Sequence, residues 1–168
     1  QQHLEDGNEK IDSGEFRAAR EELQEAQEIL QAALTRRRDS KRHRDIGLND
    51  DIQQDLNRVM AARSTVERNL ITDEITSVQS TLNRIKELLS EDECDEAAER
   101  LSEVQSTIDT IKERISEYNI DGFENEIEGI EQRYETLVQE KERRETYIEL
   151  SDDIESIRAT VEHARTLT

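Results

Sequence analysis

The chain has 168 residues, of which 32% are hydrophobic and 3% aromatic, and its 42 acidic against 23 basic residues give a net charge of -19. Ordinary globular domains are about 45–50% apolar, so a single thick core is excluded and only thin cores between helices can be filled. The charge also opposes nucleic acid and anionic membranes as partners, because such a chain repels both at low salt.

No proline occurs, although average usage of about 5% would place roughly eight in a chain of this length. Long uninterrupted helices follow, since proline is the residue that most reliably ends them. In chain order, Leu4 and Ile11 predict a short first segment that stops at Ser13-Gly14-Glu15. Phe16, Ala19, Leu23, Ala26, Leu30 and Ala33 then space out a helix over about residues 15–43. Ile46-Gly47-Leu48-Asn49 predicts a break, with Asn49 capping the next helix ahead of Asp50 and Asp51.

That next helix covers about residues 49–91 and ends in a turn at Ser90-Glu91-Asp92-Glu93. Cys94, Ala97, Leu101, Val104, Ile108, Ile111, Ile115 and Tyr118 form a narrow seam with spacings of three and four, which predicts a coiled-coil-like helix over 93–118. A turn at Asn119-Ile120-Asp121-Gly122 precedes a last helix over 121–168. Thr72-Asp73-Glu74 and Ser151-Asp152-Asp153 have the look of helix starts. No Gly or Pro stops the helix before either, so both helices are expected to run through.

The apolar skeleton repeats. Leu4, Ile11, Phe16, Ala19, Leu23, Ala26, Leu30 and Ala33 recur 78 residues on as Leu82, Leu89, Cys94, Ala97, Leu101, Val104, Ile108 and Ile111. Ile52, Leu56 and Val59 return at the same offset as Ile130, Tyr134 and Leu137. After one inserted residue, Ile71, Ile75, Val78, Leu82 and Leu88 return as Leu150, Ile154, Ile157, Val161 and Leu167. The expected fold is therefore all-α, an elongated array of antiparallel three-helix-bundle or coiled-coil repeats with a period of about 78 residues. Residues 1–70 make a partial first repeat, 71–146 a complete three-helix repeat, and 147–168 the first helix of a further one.

This architecture resembles the tandem three-helix repeats of spectrin, in which the last helix of one bundle becomes the first of the next. The period here is shorter and the chain has no Trp, so no spectrin partner carries over. High acid content, only five Lys among the bases and abundant Ser and Thr resemble the proteins of extreme halophiles of the haloarchaeal type. In molar salt the Debye length falls to about 3 Å, which switches off the repulsion between the acidic faces. A cytoplasmic location, in a high-salt cytosol, is the corresponding expectation. The chain opens in mid-pattern at Gln1, as a fragment of a longer protein does.

Residues for chemistry are sparse. His3, His43 and His163 lie far apart, the five glycines are isolated, and no metal-ligand or phosphate-loop spacing can be written. No catalytic, cofactor-binding or metal residue is expected, and neither a small-molecule substrate nor an enzymatic activity. Cys94 takes the slot of Phe16 one period earlier and reads as a buried small hydrophobe. No apolar run reaches the ~18–20 residues of a membrane span.

One basic island interrupts the acidic field: Arg36, Arg37, Arg38, Lys41, Arg42 and Arg44, with His43, near a helix end. Cations there complement the helix dipole; as a function, they offer a docking point for an acidic protein partner. Nucleic acid is the weaker alternative, because aromatic residues for base stacking are missing. The sequence reads as a non-catalytic scaffold, spacer or protein-interaction module that meets protein partners or copies of itself through its terminal helices. The alternative is the coiled-coil arm of a chromosome-organising or DNA-repair ATPase without its heads.

Overall fold

The computed structural model describes residues 2–39 and 46–166. They form five helices, α1 (Gln2–Asp12), α2 (Phe16–Asp39), α3 (Ile46–Ser90), α4 (Cys94–Tyr118) and α5 (Glu124–Thr166), and no strand occurs among the described residues. The all-α expectation holds. Two compact units divide the chain: Gln1–Glu74 with Glu113–Asp121, and Ile75–Lys112 with Gly122–Thr168.

Helix boundaries differ from the sequence reading in two places, each for a local reason. Helix α3 begins at Ile46, so Gly47 and Asn49 lie inside the helix and Asn49 is not its cap. An interior glycine costs only about 1 kcal/mol relative to Ala, too little to end a helix where no proline assists. Helix α5 begins at Glu124 and not at 121, because Gly122 stands at φ +96° in the left-handed region that a helix cannot include. Its amide donates to Glu124 Oε2 at 3.1 Å, and buried Ile120 and Phe123 hold the turn on either side.

Both helices that carried an internal start signal run through it. In α3 the Thr72 hydroxyl donates to the Arg68 carbonyl one turn back, at 2.9 Å, so it serves the helix interior and caps nothing. The turn after α1 is closed by the Glu15 amide donating to Lys10 O at 2.8 Å, with Gly14 at φ +79°. At the end of α3 the Glu93 amide donates to Leu88 O at 3.0 Å, and Asp92 takes φ +61°. In each, a left-handed residue lets the chain turn back while the last carbonyls stay hydrogen-bonded.

In the first unit, Ala19, Leu23 and Ala26 of α2 pack with Val59, Val66 and Leu70 of α3, and Leu4 and Ile11 of α1 close the side. Helix α1 approaches α2 so closely at Gly7 that an added Cβ would lie 2.8 Å from Leu23 Cδ2 and 2.9 Å from Cγ. Leu23 is fully buried and has no room to yield. Gly7→Ala should therefore lose more to overpacking, about 1–3 kcal/mol, than it gains in helix propensity, about 1 kcal/mol. The expected result is a lower urea midpoint with faster amide exchange in α1; a raised midpoint would mean that this crossing is looser than it is drawn.

The second unit draws on three helices as well. Its core joins Ile75, Val78, Leu82 and Ile85 of α3, Ala97, Leu101, Val104 and Ile108 of α4, and Ile127, Ile130 and Leu137 of α5. Short polar links lie at its margin: Arg133 Nη2 donates to Asn83 Oδ1 at 2.7 Å, Lys112 to Glu131 at 2.7 Å, and Arg144 to Asp92 at 2.8 Å. Among the described side chains of α5, Leu137 is the last that is buried, and residues 149–163 are exposed throughout.

Candidate functional site

Of the basic island, the structure places Arg36 in the last turn of α2 with an exposed side chain, and Arg37 and Arg38 in the same helix. Lys41, Arg42 and Arg44, with His43, lie outside the described residues. A stretch of helix end is thus defined, but no site geometry is.

The concentration of charge that the structure does build lies elsewhere. Glu67 of α3, only 1% exposed, is the buried charged residue of the described chain. Arg20 of α2 donates to both its oxygens, from Nε and Nη2, at 2.6 Å each. Arg114 of α4 donates to Glu67 Oε2 from Nε at 2.9 Å and Nη2 at 2.7 Å, while its Nη1 grips Glu74 at 2.6–2.7 Å. Burial opposes the charge of Arg114, but the carboxylates of Glu74 and Glu67 outweigh it and hold the guanidinium's pKa above its ordinary value. Two forked guanidiniums on one carboxylate satisfy its lone pairs, which is the condition under which a charge survives burial.

A third arginine lies in the same unit. Arg63 of α3 donates Nη2 to the Tyr118 hydroxyl at 2.7 Å and Nη1 to Gln27 Oε1, and its Cζ lies 5.2 Å from the centre of the Tyr118 ring. Burial, with Glu67 and Glu117 adding to it, raises the Tyr118 pKa although Arg63 and Arg20 oppose it. The phenol stays neutral and able to accept from Arg63. The network clamps α2, α3 and α4 together, although Arg63 Nε is buried without a hydrogen-bond partner among the described residues.

Near the start of the chain, His3, Glu22 and Glu25 bring three potential metal-ligand atoms within 4.8 Å of one another. This grouping was not legible along the chain, because the two acids come from the next helix. Lys10 Nζ already sits 2.6 Å from Glu22 Oε1, and His3 Nδ1 lies 2.9 Å from Oε2. Lys10 and then His3 lower the Glu22 pKa. A cation in this place would have to displace a lysine, so the group reads as an ion-paired clamp between α1 and α2.

Cys94 is buried, and its thiol pKa is raised by burial and further by Glu145 and Asp92. A thiol so placed is a packing group and a poor nucleophile. His163 has an exposed side chain on α5.

Exposed apolar residues concentrate on the second half of α5. Tyr147 is 73% exposed, Leu150 57%, Ile154 44%, Ile157 63% and Val161 46%. The last four fall on one helix face by their spacing of four, three and four. Ala164 and Leu167, which continue the stripe in sequence, have no described side chains. In the first unit, His3, Leu4, Ala26, Ile29, Leu30 and Asp55 line a groove beside the start of α1.

Residues 2–116 match the family model described as YfdX protein. No curated protein and no solved structure matches the chain.

Proposed function

The chain belongs to the YfdX protein family, and we propose that it is a non-catalytic helical scaffold or spacer assembled from tandem three-helix repeats, working through protein contacts. The observation that carries this reading is the recurrence, at an offset of 78, of the turn that ends the first helix of each repeat. Ser13→Glu9, Gly14→Ile11 and Glu15→Lys10 amide-to-carbonyl bonds in one turn are matched by Glu91→Glu87, Asp92→Leu89 and Glu93→Leu88 in the other. The positive φ of Gly14 is matched by that of Asp92. Core positions follow the same offset: Ala19 and Ala97, Leu23 and Leu101, and Val59 and Leu137 are buried in both units.

A chain whose polar groups are spent on joining helices is built to hold a form and present faces. We assign it to a high-salt cytosol, where screening lets acidic helices pack side by side. Residues 71–146, taken alone, test the reading. In molar KCl they should melt cooperatively as a helical monomer, and the midpoint should fall as salt is withdrawn. A segment that is helical only as a dimer would favour the two-stranded ATPase arm. A midpoint indifferent to salt would remove the halophilic part of the proposal.

A further inference from the structure

One apolar set that is buried in the second unit is less covered one period away. In the second unit, Ile75, Val78 and Leu82 of α3 are buried together with Ile108, Ile111 and Ile130. Their counterparts one period away are separated and less buried. Ile154, Ile157 and Val161, which follow Ile75, Val78 and Leu82 by 79 residues, stand exposed on α5. Leu30, Ala33 and Ile52, which precede Ile108, Ile111 and Ile130 by 78 residues, are only half-buried in the first unit. Ile108 is 1% exposed, Ile111 0% and Ile130 1%, so the difference in cover falls on every member of the set.

The charges carry the same correspondence. Arg114 grips Glu74 with Nη1 at 2.6–2.7 Å. One period away these residues become Arg36, exposed at the end of α2, and Asp153, exposed on α5. Between Glu149 and Glu162, α5 carries five acids and one base, Arg158, and so meets the basic end of α2 with opposite charge.

We infer that copies of this chain associate head to tail, the α5 stripe Leu150–Ile157 of one copy lying on the half-buried Leu30, Ala33 and Ile52 of the next, with Asp153 on Arg36. The inference rests on the tandem-repeat reading above and adds its partner, a second copy. The contact is confined to two turns, because from Val161 onward α5 would reach the place that Leu4 of α1 already fills against the core, so α1 or the last turns of α5 must give way for it to form. The stripe and the residues it covers are different surfaces of the chain.

Complementary variants of the full chain test it by sedimentation equilibrium in molar KCl, with circular dichroism checking that each stays folded. The intact chain should show a weight-average mass that rises with concentration above that of the monomer. Ile154→Asp on the stripe and Ala33→Asp among the residues it covers should each weaken association by about tenfold or more, since each puts a carboxylate into the apolar contact. Mixed together, the two variants should form a one-to-one complex, because each keeps the surface that the other has lost. Arg36→Asp should also weaken association, and Asp153→Arg in the same chain should restore it. Self-association of Ala33→Asp into a closed dimer would overturn the inference in favour of paired α5 stripes. A strictly monomeric intact chain would overturn it too, leaving the stripe to another protein; if residues 71–146 still fold alone, the repeat reading survives that failure.

Discussion

Leu101→Asp and Ile130→Asp are each expected to abolish cooperative melting of the second unit, whereas Ser102→Asp should leave it almost unchanged. Leu101 is 4% exposed and Ile130 1%, on helices α4 and α5 that face a common core. Each change forfeits about 1.5–3 kcal/mol of apolar burial and adds a carboxylate that must be neutralised or dragged into water. Domains have only about 5–15 kcal/mol of net stability, and a core this poor in aromatics has little to spare. Ser102, one residue along, is exposed and takes an acid at no such cost. Circular dichroism melts of the three variants in molar KCl provide the measurement. Similar losses at all three positions would show the packing register to be wrong.

The second large effect is expected at Glu67. Glu67→Ala should destabilise the first unit by about 3–5 kcal/mol, the usual result of removing one partner from a buried ion pair. Arg20 and Arg114 would then share a space lined by apolar residues with only Glu74 left to receive Arg114. Arg20→Ala should do less, because its side chain is 35% exposed and Arg114 continues to hold the carboxylate. Urea unfolding of both variants orders the two losses. If Glu67→Ala proved the milder, the carboxylate would not be the centre of the network.

Of the candidate sites, the exposed stripe was legible from sequence and the charge network was not. Leu150, Ile154 and Ile157 announce themselves by helical spacing, and the repeat already implied that their cover lay outside residues 150–168. Glu67 looked like one acid among many. The available signal was its position: next to Val66, four residues before Ile71 and seven before Glu74, it lies on the stripe and not on the polar face. Its partners are hidden because Arg20 and Arg114 each stand 47 residues away, in opposite directions along the chain. The basic island was the reverse case, conspicuous in sequence; in the structure Arg36 stands exposed at a helix end.

The sequence by itself determined that the protein is helical, where most of the turns fall and which face of each helix is apolar. These properties are local: the absence of proline, spacings of three and four, and glycine or short polar residues at the turns act within a few residues of themselves. The tertiary structure alone decided that Gly47 stays inside α3, that Gly7 brings α1 against Leu23, and that Glu67 is buried between two arginines. Each of these depends on which helices come together and how closely. A helix tolerates one unfavourable residue when its face is held by neighbours, and a carboxylate tolerates burial when distant guanidiniums converge on it. Neither condition is written in the residues adjacent to the one it governs.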